Sequence, residues 1–263
     1  MCIRDSYFAE REELGIPCGR LDQYGSSYGG IIKLETRHPF KVEELSFRSL
    51  FLTVLNSGIR HNTSEIHPRR QKELDEGLRE LLELDLPKTV RTKLAKHHTN
   101  LHWENLREEE LAPYLEGINE NSANRILYTL RSQRSTEVAL KILRQQPIDT
   151  REVSILVGEK LVTAIKHAPR DAHPHILLGA IINYQHELMR DLYELSLRKI
   201  EELRESAINA GAYGVKLSGA GLGGCLIALT KSKKESSKVL KDVLATGAPN
   251  GWICKIAEGA RMD

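Results

Sequence analysis

Between Gly219 and Gly224 the chain reads GAGLGG, four glycines in six residues, set between two short apolar runs, YGVKLS and CLIALT. A backbone this poor in side chains loses much conformational freedom on folding, and it is kept where main chain must approach a ligand or another segment closely. The flanking runs have strand-type composition, so the glycines join strand to strand. That placement decides what the loop can be. Gly219, Gly221 and Gly224 have the spacing of a dinucleotide-binding turn, but such a turn must open a helix whose N-terminus holds the pyrophosphate, and Cys225 to Leu229 is a strand-type run. A protein-kinase glycine loop does lie between strands, yet its partner motifs Val-Ala-x-Lys, His-Arg-Asp and Asp-Phe-Gly are missing from the chain. A glycine-rich hairpin without function is the remaining plain reading.

The rest of the tail follows a simple order. A polar helix from about Lys233 to Leu244 and a strand-like WICKIA complete β, loop, β, α, β. Upstream, from Pro68 to about Ala210, leucine-type residues recur at three and four, as in LDEGLRELLELDL, and Pro87, Pro113, Pro147, Pro169 and Pro174 divide the stretch into six expected helices. The last of these is expected to be capped by Ser196, to bury Ile200, Leu203 and Ala207, and to close at Gly211. Nearer the start, GIPCGRLDQYGSSYGG reads as loop, and IIKLE and FLTVLNS read as strands. Met1 to Ser6, MCIRDS, resembles a translated sequencing adapter and is set aside, with truncation of the gene as the expectation.

Whole-chain quantities exclude several classes. With 263 residues the chain holds one large domain or two small ones, and 40% hydrophobic with 28% charged residues is the composition of an ordinary folded protein. Lys plus Arg exceeds Asp plus Glu by 38 − 36 = 2, which gives no field to recruit nucleic acid or anionic lipid. No apolar stretch reaches the roughly 18 residues that cross a bilayer, and no signal-peptide core opens the chain, so a cytoplasmic protein without membrane or nucleic-acid partners is expected. Cys2, Cys18, Cys225 and Cys254 form no Cys-x-x-Cys pair and are expected to be free thiols. His98 and His102 stand one helical turn apart if helical, but no further ligand completes a metal site, and a solvated helix face is expected; His167, His173 and His175 are given the same reading.

GAYGVKLSGAGLGGCLIAL resembles the C-terminal glycine motif of the GHMP small-molecule kinases, named for galacto-, homoserine, mevalonate and phosphomevalonate kinases. Within that family, CGRLDQ at Cys18 to Gln23 is similar to the galactokinase segment Cys-Gly-x-Met-Asp-Gln, and NSGIRH at 56–61, HELMRDLYELS at 186–196 and the ending KIAEGAR resemble the same branch. The resemblance implies an α+β fold: 7–65 as the remnant of the N-terminal domain, then 66–263 as a ferredoxin-like C-terminal domain with additional helices. It implies phosphoryl transfer from ATP, with Mg2+, to a sugar hydroxyl beside Asp22, which serves as catalytic base or electrostatic anchor. Cys18 and Gly19 would present backbone to the sugar, while Ser218, Gly219, Ala220, Gly221, Gly223 and Gly224 would wall the reacting groups.

Two departures qualify this. The family's phosphate loop, Pro-x-x-x-Gly-Leu-Ser-Ser-Ser, and its early sugar-binding segment are missing from the chain, so the stretch by itself is expected to be inactive. A Ser-Glu-Tyr-x-x-Arg-Arg stretch supplies a sugar-contacting Tyr in galactokinases, whereas SEIHPRR puts Ile66 there. Another branch of the family, or a kinase-like sugar sensor without turnover, are the rival readings.

Overall fold

The computed structural model describes residues 2–15, 18–60, 63–219 and 221–261. Helix α1 (Cys2–Phe8) continues into a π-helical turn at Ala9–Glu13; helix α2 (Leu21–Tyr28) leads to strands β1 (Ile31–Leu34), β2 (Val42–Leu45) and β3 (Phe51–Asn56). A helical region follows: α3 (Thr63–Glu83), α4 (Lys88–Arg91), α5 (Glu108–Leu115), α6 (Glu120–Leu143), α7 (Thr150–Val157), α8 (Lys160–Lys166), α9 (His173–Asp191) and α10 (Arg198–Asn209). The chain closes with β4 (Gly214–Leu217), β5 (Cys225–Thr230), α11 (Lys233–Ala245) and β6 (Gly251–Lys255), the order expected from the tail.

Strands β1 and β2 pair only with each other, whereas β4, β5, β3 and β6 form a second sheet in that spatial order, every neighbour antiparallel. Numbered by their own sequence order, these four strands stand 2-3-1-4, the ferredoxin-like arrangement, with α3 to α10 inserted between the first and second. One face packs on α10 and α11 through Leu55, Val215, Leu217, Leu226 and Ala228 against Ile200, Leu203, Ala207, Val239 and Val243. A second core, including Leu229, Leu177, Leu178 and Ile181, joins β5 to α6, α7 and α9. A third lies wholly in the helical insertion around Leu78, Leu81, Leu111 and Ile126.

Several expectations need correction. Strand β3 lies in the stretch that the resemblance gives to the N-terminal remnant, and it is a central strand of the second sheet, paired from Phe51↔Thr230 to Asn56↔Cys225 on one side and from Phe51↔Lys255 to Leu55↔Gly251 on the other. The segment LDQYGSSY, read as loop, is helix α2, and KVEEL supplies a strand the sequence reading missed. Helices in the insertion number eight rather than six among the described residues. Pro113 lies inside α5, and Pro174 occupies the first turn of α9, where there is no intrahelical N–H bond to lose. Ser196 does not cap α10, whose N-cap is Leu197; its hydroxyl donates to Glu201 instead.

The edge strand β4 is covered by helix α9. Gly179 and Gly214 meet there so closely that a Cβ on Gly214 would lie 2.2 Å from the Gly179 carbonyl oxygen. The outward N–H groups of Val215 and Leu217 donate to Asn183 Oδ1 at 3.0 Å and His186 Nδ1 at 3.2 Å, so the edge is satisfied by side chains in place of a fifth strand.

Candidate functional site

The glycine loop crosses from β4 to β5, and its conformation explains its composition. Gly219, Gly221, Leu222 and Gly224 have φ of 76°, 89°, 54° and 78°, a left-handed region that non-glycine residues adopt at a cost. Two segments distant in sequence hold the loop. After β3, the Ser57 N–H and hydroxyl both donate to the Gly224 carbonyl, at 2.9 and 2.6 Å, and the Gly224 N–H donates to Ile59 O at 3.0 Å. After α9, the Leu222 N–H donates to Leu195 O at 2.7 Å, and Gly221 faces Leu195 so closely that a Cβ would lie 2.5 Å from Leu195 Cβ. Thus NSGI, the LYELS turn and GAGLGG, three motifs singled out in the sequence, meet at one end of the central sheet. Ile66 is half-buried against the core cluster that also contains Tyr193, Leu195 and Leu217. Ser218 donates its N–H to Cys225 O at 2.8 Å and starts the loop. Ala220 lies outside the described residues.

The LYELS turn is itself tied down. Buried His186 has its Nδ1 lone pair occupied by the Leu217 N–H, so the proton sits on Nε2 and is donated to Glu201 Oε1 at 2.7 Å. Burial pushes the His186 pKa below its usual value, with the Glu201 hydrogen bond pulling the other way. Arg190 and Ser196 also reach Glu201. Lys216, next to Leu217 on β4, points to the opposite face, and burial lowers its ammonium pKa. The sequence reading passed over Lys216, because one lysine in an apolar strand carries no motif.

The N-terminal candidates stand in a second group. Asp22 is exposed in the first turn of α2, Gly19 is exposed and Cys18 half-buried just before it. Gln23, the next residue, is buried and donates to Glu10 at 2.6 Å. Helix α2 is docked by its C-terminal end. The Gly30 N–H donates to Ala257 O at 2.8 Å, the Ala260 N–H donates to Ser26 O at 2.9 Å, and Gly29 bridges Glu258. A Cβ on Gly259 would lie 2.1 Å from the Ser27 carbonyl oxygen, so KIAEGAR is the seat of this helix. Phe51 pairs with Lys255 while Asn56 pairs with Cys225, so the tail leaves the sheet at the end opposite the glycine loop.

Of the histidines weighed as metal ligands, four have structural partners; His173 binds the Ala168 carbonyl at 3.1 Å and His167 is exposed. His98 lies in a 3-10 turn, not on an α-helical face, and binds Asp75 at 2.9 Å, while His102 binds Glu104 at 3.0 Å. Glu104 is held at a pKa of about 2: burial raises it, but the hydrogen bonds from His102 and Arg37 outweigh that. His175, expected to be solvated, is buried between Phe47 and Tyr213 and binds Ser49 O at 2.5 Å. Among the described residues, no group of three or more His, Cys, Asp or Glu side chains is placed to hold a metal ion. Cys18, Cys225 and Cys254 are free thiols.

Residues 162–248 match the family described as GHMP kinases C terminal. Bovine galactokinase is 25% identical over 262 residues, 97% of this chain and 55% of that protein. The chain therefore spans about half the length of the galactokinases it matches. Mevalonate kinase of Thermococcus onnurineus is 39% identical over 89 residues, 34% of this chain and 25% of that protein. In fold, the chain is similar to Lactococcus lactis galactokinase complexed with galactose, with a TM-score of 0.66 at 21% identity over 98% of this chain and 59% of that one. The mevalonate kinase of L. major, in complex with R-mevalonate, gives 0.52 at 18% identity, covering 92% of this chain and 53% of that one.

Proposed function

We propose that this chain, which carries a GHMP kinase C-terminal domain, forms part of an ATP-dependent sugar kinase of the galactokinase type. The observation that supports this best is the convergence of NSGI, the LYELS turn and the glycine loop at one end of a ferredoxin-like sheet, in a chain similar to galactokinase along nearly its whole length. In the reaction, a sugar hydroxyl oxygen bonds to the γ-phosphorus of ATP, the bond from that phosphorus to the ADP oxygen breaks, and the hydroxyl proton passes to the Asp22 carboxylate. Asp22 is exposed and so open to such a hydroxyl. In this reading Cys18 and Gly19 would present backbone groups to the sugar beside Asp22, and the glycine loop, whose small residues let main chain come close to phosphate, would face the nucleotide. Among the described residues no group of three or more His, Cys, Asp or Glu side chains is placed to hold the magnesium that would accompany ATP.

The test is Asp22→Asn in the whole protein, assayed with ATP, magnesium and a panel of aldohexoses, aldopentoses and mevalonate. Turnover should fall by about 100-fold or more while sugar affinity changes little, as expected when a carboxylate acts mainly in the transition state. Unimpaired turnover would end this reading. Similarity to mevalonate kinases over a third of the chain favours a second reading, another branch of the family, which a preference for mevalonate in that panel would establish. Ile66→Tyr tests specificity: improved use of galactose is expected, and an unchanged ranking would mean that Ile66 does not set the substrate.

A further inference from the structure

The helical insertion reaches the glycine loop through two buried arginines. Arg125, on α6, is 1% exposed. Its Nε donates to Glu73 Oε2 at 2.7 Å, one terminal nitrogen donates to the Leu192 carbonyl, and the other donates to Glu194 Oε2 at 2.5 Å. Arg70, on α3, is also buried; it donates to both Glu73 oxygens at 2.9 and 3.0 Å and reaches the same Glu194 oxygen at 3.1 Å. Two guanidinium groups and two carboxylates thus neutralise one another, which buried charges require. Burial raises the Glu73 pKa, but the hydrogen bonds from Arg125 and Arg70 outweigh it and hold the group ionised.

What this cluster grips is the backbone of the LYELS turn. Glu194 has φ of 53°, a conformation that a residue with a Cβ keeps only where its surroundings over-determine it. Here the Leu192 carbonyl and the Glu194 carboxylate are both held by Arg125, and Tyr193 between them stacks on Tyr128 at 4.1 Å. The next residue, Leu195, receives the Leu222 N–H and supplies the side chain that fills the hollow over Gly221. Any shift of the turn therefore moves one of the loop's two anchors, while the other, at Ser57 and Ile59, stays with β3.

The geometry points to Arg125, assisted by Arg70, as a positioning residue that sets the glycine loop through Glu194 and Leu195. Its functional meaning rests on the reading of that loop as the phosphate-side wall, but its structural content does not. Amide hydrogen exchange on the whole chain, without nucleotide, tests it with Arg125→Lys, which keeps charge and loses the fork, and with Glu194→Gln. Exchange at Leu222 should rise about tenfold or more in both, while Gly224 and the β5 amides of Leu226 and Ala228 change less than about twofold. Unchanged Leu222 protection in a folded variant overturns the assignment. So does a parallel rise at all these amides, which would mean general destabilisation. Should Arg125→Lys fail to fold, Glu194→Gln decides alone, since the Glu194 side chain is 56% exposed and both buried guanidinium groups stay paired with Glu73. Failure of the phosphoryl-transfer assay with the Leu222 effect present would refute the kinase reading and leave the clamp standing.

Discussion

The two halves of the candidate site are built by different physics. At the glycine loop, four segments converge on buried apolar residues: Leu55 and Leu226 are fully buried, Leu217 is 1% exposed and Leu195 2%. Around Asp22 the apolar side chains face outward, with Phe8 at 52%, Leu14 at 71%, Leu21 at 60% and Tyr28 at 44% exposure. The hairpin of β1 and β2 is tied to the helical insertion by two ion pairs, Arg144 with Glu43 and Arg37 with Glu104, and by Ile31, partly buried against the second core. Exposed pairs of this kind contribute about 0 to 1 kcal/mol each. The glycine-loop end is therefore as stable as the domain core, whereas the Asp22 end is held by a few close backbone contacts and opens more readily.

The largest expected difference comes from cutting back the core at the loop end. Leu55→Ala, at the centre of the sheet, should lower unfolding stability by about 3 kcal/mol, read as a shift of the denaturation midpoint. A loss below about 1 kcal/mol would mean that the two regions are not distinct in packing. Next in size is Gly259→Val, whose side chain must displace the Ser27 carbonyl. It should free α2 and make residues before Leu45 protease-sensitive, with a global cost of about 1 to 2 kcal/mol; equal sensitivity throughout the chain would mean that α2 is held as firmly as the core.

A third test uses acid. Folding keeps His186 neutral, so the unfolded chain binds the proton more readily. The stabilisation is fully present above the ordinary value of 6.5 and is lost as pH falls through 6.5 toward the lower folded pKa. His186→Gln should flatten the stability profile in that window, and a wild-type profile already flat there would refute the neutral, doubly bonded imidazole. The smallest effect belongs to Leu21→Ser, beside Asp22, which should change stability by no more than about 0.5 kcal/mol. A larger loss would show that Leu21 is covered in solution.

Local pattern made some of this legible in the sequence. Strand-type runs flanking glycines identified β4 and β5, and the spacing of Ile200, Leu203 and Ala207 identified a buried helix face, because alternation and a 3.6-residue period are properties of the segment itself. The motifs NSGI, LYELS and GAGLGG were legible as candidates, yet their meeting depends on hydrogen bonds between residues such as Ser57 and Gly224, which lie 167 positions apart.

Tertiary structure alone decided the rest. Phe51–Asn56 reads as a strand from its composition, but its place between β5 and β6 follows from burying both of its edges, and nothing local encodes that partner. LDQYGSSY has the glycine and serine content of a loop, and it is helical where the tail seats it, packing outweighing a weak intrinsic propensity. Arg70 and Arg125 are ordinary charged residues of two helix patterns. They become a buried clamp because the fold brings Glu73 and Glu194 to them, and a charge taken out of water is tolerated only where such partners are supplied.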